Sequence, residues 1–399
     1  MADPPSFEVD PVIDDRRPRS GFFLVLRRLV ITLVGLNLFV LALLIAVTVA
    51  WGDDAAESSD LAGGPGAITP SSVPTSVEPS VETADPIADP PDPVAPAEPV
   101  DPLPVISTDP PPHPDPFEPT VNETQPEAKR MAALVAYLVT NYEADASLAD
   151  VLVTLPPGSP EIDGLGAEVD LVHHPGMWSR GTVEYVQNGG HLNGRMSNII
   201  VIRQDIGAEG SSEPERTETR VMEVRLARGE SGEWTLETIA SAGGVPAERP
   251  ADLSEVAAAV VDHDRIDLPD TAAWDIYRGF IDRQVLEVML DIAERTPYSV
   301  VVLQTGHAYN VFGTERVSNH SVGRAVDIYK FDGALVVDSH ATSSDSYAVS
   351  EWIVSRSDIR EFGSPWGFPD AVAHTFTNEV HHDHLHIGVN AYSASSSAG

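Results

Sequence analysis

Two stretches concentrate the residue types that hold metals. "SNHSVGRAVDIYKF" (residues 318–331) carries His320 and Asp327, and "EVHHDHLHIGV" (379–389) carries four of the chain's 13 histidines. The chain has no cysteine, which excludes disulfides, thiolate nucleophiles and Cys-ligated zinc. A metal here must be held by His, Asp, Glu or backbone oxygen. His320, Asp327 and one histidine of the 384/386 pair make three protein ligands. Three ligands leave a fourth tetrahedral corner for water or substrate, the mark of a catalytic rather than a structural zinc. Such a site lowers the pKa of its water to about 7 and polarises a carbonyl oxygen.

Both stretches need strands to present these groups. If "RAVDIYK" is a strand, Ala325, Asp327 and Tyr329 share one face while Val326 and Ile328 share the other. The apolar pair faces a core, so Asp327 is offered to a cleft beside a small alanine. Gly323 lets the preceding loop fold His320 back towards it, and Ser318 either bonds a ligand or caps that turn. In "HDHLHIGV", Leu385, Ile387 and Val389 alternate as a core-facing set. His384, His386 and Gly388 then line the opposite face. A sticky His-rich tail would be polar throughout, whereas this segment is patterned as a buried strand.

In order and spacing these residues resemble a known family. "SNHSVGRAVD" is similar to the S-x-H-x-x-G-x-A-x-D motif of the D-alanyl-D-alanine metallopeptidases. With the lysostaphin-type endopeptidases these form a zinc superfamily, often called LAS, that pairs H-x6-D with a later H-x-H. The resemblance spans residues 250–392 and is concentrated in the two motifs. It implies zinc ligands His320, Asp327 and His386, with His384 as general base or transition-state stabiliser. Many relatives instead use a Glu in an E-x-x-H arrangement as base, and Glu379 and His382 also fit that spacing. Relatives carry a substrate-binding arginine upstream of the first motif, where this chain reads "LQTGHAYNVFG". His307, ending the "VVVLQTG" strand, is the candidate for that role, and Ser318 is a second candidate for substrate binding. Without a fixed charge there, an endopeptidase or another amide substrate fits better than a strict carboxypeptidase.

The remaining candidates have plainer readings. His173 and His174 precede Pro175 on a loop and read as surface residues. His381 and His382 read as exposed or supporting, and Asp338 and His340 as loop residues. "SPWGFPD" shapes a cleft rim, with Trp366 and Phe368 equally at home in a core.

The elements that must position the site fill the last part of the chain. Residues 250–392 predict an α+β, metallopeptidase-like domain with a central antiparallel sheet. Its helices lie at "DLSEVAAAVVDHD" and "DRQVLEVMLDIAERT", each with an Asp cap, and its strands at "YSVVVLQTG", "GRAVDIYKF", "ALVVDSH" and "HDHLHIGVN". Residues 127–246 predict a separate small α+β domain with no visible chemistry. One helix, "EAKRMAALVAYLVTNY", precedes the strands "GTVEYVQ", "NIIVIRQDI", "TRVMEVRLARG" and "EWTLETIAS". Residues 52–126 contain repeated Asp-Pro and Glu-Pro units and no Lys or Arg, which predicts a disordered, stiff linker.

From Leu29 to Trp51 there is no charge, which predicts a single transmembrane helix across residues 29–51. Arg16, Arg17, Arg19, Arg27 and Arg28 precede it and Asp53 and Asp54 follow. That asymmetry puts the tail, 1–28, in the cytoplasm and the C-terminal domains outside. The net charge of −37 argues against nucleic acid as a partner. The combined expectation is a membrane-anchored, extracytoplasmic zinc peptidase acting on cell-wall peptidoglycan or a related amide. The alternative is a non-catalytic wall-binding or scaffold protein that keeps the fold.

Overall fold

An alanine-rich helix and four long strands open the folded part of the chain. The computed structural model describes residues 109–391, apart from 158 and 161, and these belong to one compact unit. Helix α1 (Pro126–Thr140) begins on proline, whose fixed φ suits a first turn, and buries Ala128, Ala132, Val135, Ala136 and Val139 along one stripe. Short helices α2 (Leu148–Leu152) and α3 (Ile162–Asp170) follow. Strands β1 (Met177–Leu192), β2 (Arg195–Ala208), β3 (Arg216–Arg228) and β4 (Trp234–Ser241) form an antiparallel meander in chain order. The β1–β2 turn is Asn193-Gly194, both at positive φ, as a two-residue hairpin requires. The stripe of α1 packs on Ile200, Ile202, Met222, Val224 and Leu226 of this sheet.

The second sheet carries the site. It is built from α4 (Glu255–Val261), β5 (Ile266–Asp267), α5 (Asp270–Tyr277), α6 (Arg283–Ala293), β6 (Tyr298–Val302), β7 (Ala325–Phe331), β8 (Ala334–Leu335), α7 (Asp345–Val354), β9 (Ile359–Gly363), β10 (His374–Phe376) and β11 (Leu385–Val389). Strand order is β10-β9-β11-β7-β6-β5, with β8 on β7. The four central strands pair antiparallel, while β10 and β5 add parallel edges. Val326 and Ile328 of β7 and Leu385, Ile387 and Val389 of β11 join Val285, Met289 and Ile292 of α6 in one core. Asp282 caps α6, but Ser254 rather than Asp252 caps α4. "ALVVDSH" is strand only over Ala334–Leu335 before turning into a 3-10 segment.

A third apolar cluster joins the two sheets. Tyr185, Ile199, Val201 and Val221 meet Val301, Val302 and Tyr329, and Tyr185 stacks on Tyr329 at 4.6 Å. Residues 109–125, read from sequence as the end of the linker, lie along the folded unit. Arg180 Nε donates to the Pro111 carbonyl (2.6 Å), Thr120 and Asn122 donate to Asp338, and Glu123 is buried. Proline forbids helix and ladder here, yet its carbonyls still accept hydrogen bonds.

The expected cytoplasmic tail and transmembrane helix lie outside the described residues. Among the described residues no helix is long and apolar enough to cross a membrane. The longest, α1, has 15 residues and carries Lys129 and Arg130, too short and too charged for a bilayer core of about 30 Å. The expected fold class is corrected accordingly to α+β, and the expectation of a single-pass, extracytoplasmic membrane protein is not carried forward.

Candidate metal centre

Strand register brings the two halves of the site together. On the neighbouring strands β7 and β11, His386 sits directly opposite Asp327. His320 comes from a 3-10 turn, His320–Val322, that ends on Gly323 at φ 68°. A Cβ at Gly323 would lie 1.9 Å from the Phe280 carbonyl oxygen, so this return is open only to glycine. The turn aims His320 Nε2 to within 3.1 Å of Asp327 Oδ1 and 3.1 Å of His386 Nδ1, and His386 Nδ1 lies 2.9 Å from Asp327 Oδ1. All three side chains are buried.

The outer hydrogen bonds decide what these atoms can hold. His320 Nδ1 lies 2.6 Å from the Leu303 carbonyl, which only accepts, so Nδ1 carries the hydrogen and Nε2 presents a lone pair. His386 Nε2 lies 3.3 Å from Glu361 Oε1, which leaves Nδ1 bare in the neutral ring. Two lone pairs and a carboxylate oxygen then point at one spot, and they repel unless a cation or a proton sits between them. Ligand atoms on a tetrahedral zinc stand about 3.3 Å apart, close to the spacing seen. Carboxylate and carbonyl partners of this kind are what orient metal-ligating histidines.

Burial would by itself raise the Asp327 pKa, but the His320 and His384 imidazoles outweigh it and keep this carboxyl ionised well below the usual range. Burial would depress His386, yet its bonds to Asp327 and Glu361 lift it to about 9 when no metal competes. Glu361, buried but held by His386 and Arg316, falls to about 2. His307, His320 and Asp327 also offer ligand atoms within 4.8 Å of one another, a group that could hold a metal ion. His307 stacks on His320 at 4.2 Å while its Nδ1 bonds the Ala308 carbonyl. The shorter distances within His320, Asp327 and His386 make that trio the tighter cradle.

His320 is fully buried against Asp327 and His386, which line a cavity of about 380 Å³. His307, Ser318, Arg316, His381 and His384 line it, and β1 closes one side with residues 187–191. Gln187 Nε2 donates to Asp327 Oδ2 (2.6 Å), the oxygen not shared with the histidines. His384 Nε2 stands 3.7 Å from the same oxygen, and its Nδ1 is 2.6 Å from Asp383 Oδ1. Comparisons with protein-family models, with curated proteins and with solved structures find no match.

The structure therefore brings His307, Ser318, Asp327, His384 and His386 to one cavity, with His320 buried against Asp327 and His386. Ser318 Oγ accepts from the His320 backbone, so it caps the turn as well as lining the cleft. The E-x-x-H pairing is not gathered in: Glu379 bonds Gln125 at the surface, and His382 packs edge-on against His340. His381 lines the cavity, 5.0 Å from the His384 ring, and burial keeps it neutral. Trp366 and Phe368 pack partly buried on the core. Sequence reasoning passed over Glu361, Asp383, Gln187 and Arg316. Only Asp383 carried a local signal, as the acid next to a candidate base. Gln187 lies far upstream in a stretch with no chemical pattern.

Proposed function

We propose that the chain is a metal-dependent amide hydrolase, with zinc as its metal, acting on peptide bonds of cell-wall peptidoglycan or a related amide. The observation that carries this reading is the pairing of a three-donor cradle with a separate, oriented imidazole on its open side. Two histidine nitrogens and one carboxylate oxygen suit zinc, and three protein ligands match a catalytic rather than a structural centre. A metal held there supplies an activated water and polarises the carbonyl under attack.

The chain's own groups account for the rest. His384 donates Nδ1–H to Asp383 and turns Nε2 towards the cradle, where it can take a proton from water and pass it to the leaving amine. Gln187 occupies the second oxygen of Asp327, which fixes the carboxylate so that Oδ1 faces the histidines. The cavity wall sets the apolar side chains Val311, Phe312, Phe376 and Val380 beside polar groups, in keeping with an amide chain. Arg316, exposed and bonded to Glu361, is the arginine among the lining residues and can meet a substrate carboxylate. The resemblance of "SNHSVGRAVD" and "HLH" to wall peptidases supports wall peptide as the substrate class.

The test is hydrolysis of a synthetic stem peptide ending in D-alanyl-D-alanine, with and without chelator, alongside metal analysis. We expect about one zinc per chain, chelator-sensitive release of new amines, and loss of both in His320→Ala. Tight binding of wall fragments without cleavage would favour the scaffold reading instead.

A further inference from the structure

We propose that Lys129, acting through Asp383, is a positioning residue for His384, so that the upstream lobe forms a working half of the catalytic centre. This deepens the hydrolase reading above and rests on it for its kinetic arm. Asp383 is fully buried and both oxygens of its carboxylate are bonded. Oδ1 receives His384 Nδ1–H at 2.6 Å, while Oδ2 receives Lys129 Nζ at 2.5 Å and the Asn188 backbone N–H at 2.8 Å. Lys129 is itself fully buried in the first turn of α1, with Glu123 as a second carboxylate partner and the Tyr185 ring 5.5 Å beneath its ammonium. The Tyr185 hydroxyl closes the group, its single hydrogen lying between Glu123 Oε1 (3.1 Å) and the Asp383 carbonyl (3.2 Å).

A buried ammonium between two buried carboxyl groups is a costly way to fill space. An apolar group of similar volume often does as well or better for stability. What sets this trio apart is its end point. A chain of charge-assisted bonds runs from α1 through Asp383 to His384, the cavity imidazole whose Nε2 stands 3.7 Å from Asp327 Oδ2. A histidine whose Nδ1 hydrogen is locked onto a carboxylate must present Nε2 to the reaction, the arrangement that fixes a catalytic imidazole in other hydrolases. The lysine holds that carboxylate ionised and pointed. Without it, Asp383 can take up a proton or rotate to a new donor, and His384 is free to swing or to exchange tautomer. Lys129, Glu123, Tyr185 and Asn188 all precede residue 250, so the domain bearing the motifs does not by itself complete the arrangement.

The experiment uses the full chain loaded with zinc and the same stem peptide. Above pH 7, where Glu123 is ionised, Glu123→Gln/Lys129→Met removes one charge of each sign and keeps the net charge, and Asp383→Asn removes the carboxylate that accepts from His384. Both should keep the metal stoichiometry and KM while kcat falls, by about 10- to 100-fold for the pair variant. Lys129→Arg, which keeps the cation, should recover most of kcat. An independent readout is the low-field Nδ1–H resonance of His384 in histidine-labelled protein, assigned with His384→Gln. It should be present in the wild type and in Lys129→Arg, shifted upfield in the pair variant and absent in Asp383→Asn. If the pair variant does not fold, Lys129→Gln carries the same readouts. Unchanged kcat and an unmoved resonance in the folded pair variant, or in Lys129→Gln in its place, would overturn the proposal. If the wild type cleaves nothing, the hydrolase reading falls, while the resonance still decides whether Lys129 positions His384.

Discussion

At the scale of single residues, the cradle has a preference for what it holds. With the metal absent, the bonds from Asp327 and Glu361 raise His386 to about 9, so a proton occupies the place a cation would take. Metal binding must therefore release a proton, and affinity should rise with pH until about 9, then level off. Calorimetric titrations of zinc at several pH values, in buffers of different ionisation enthalpy, would measure it; pH-independent affinity with no proton release would exclude this site. The residues of the candidate cradle were legible in the sequence because their spacing is local, seven residues apart in one motif and two in the other. The residues that orient them were not. Glu361 and Gln187 reach the site only through strand pairing and sheet packing, which no local pattern records.

Among elements, the turn before β7 is the narrowest requirement. Gly323 combines φ 68° with a backbone oxygen where a Cβ would stand, and the Phe280–Ile281 segment lies directly against it. Its own carbonyl accepts from Asp282 N (2.8 Å), the cap of α6. Gly323→Ala should destabilise the fold by roughly 2–4 kcal/mol, the cost of positive φ and of displacing backbone together. Chemical denaturation would measure it, and zinc affinity should fall in parallel because His320 rides on the same turn. Strands β7 and β11 could be read from alternation of apolar and polar residues. Strand β9 escaped because it is short and its Glu361 reads as solvent-facing, whereas the side chain points inward at His386. The separation of residues 127–246 from the site-bearing part was a natural reading of composition. No local pattern records that Tyr185 and Val221 meet Val301 and Tyr329 in a shared cluster.

Across the whole molecule, the seam between the lobes holds charge, and that charge makes stability depend on pH in two opposite ways. Burial holds Glu123 up at about 7 against the pull of Lys129, above its ordinary 4.5. A carboxyl raised on folding stabilises fully below its unfolded pKa, and that contribution is lost as pH rises through the folded value. Asp383 goes the other way: burial is outweighed by Lys129 and His384, which hold it at about 2, below its ordinary 3.8. Its contribution is present above about pH 4 and is lost as pH falls towards 2. The seam should accordingly be firmest near pH 4 to 5 and weaken on both sides. Between pH 4.5 and 7 the Glu123 part of the decline should amount to at most about 3 kcal/mol. Glu123→Gln cannot ionise, so the difference in unfolding free energy between variant and wild type should grow in the variant's favour across that interval. Urea titrations from pH 4.5 to 7.5 would read the slope directly. A constant difference would mean that Glu123 titrates in the folded protein as it does in the unfolded chain, with no rise on burial.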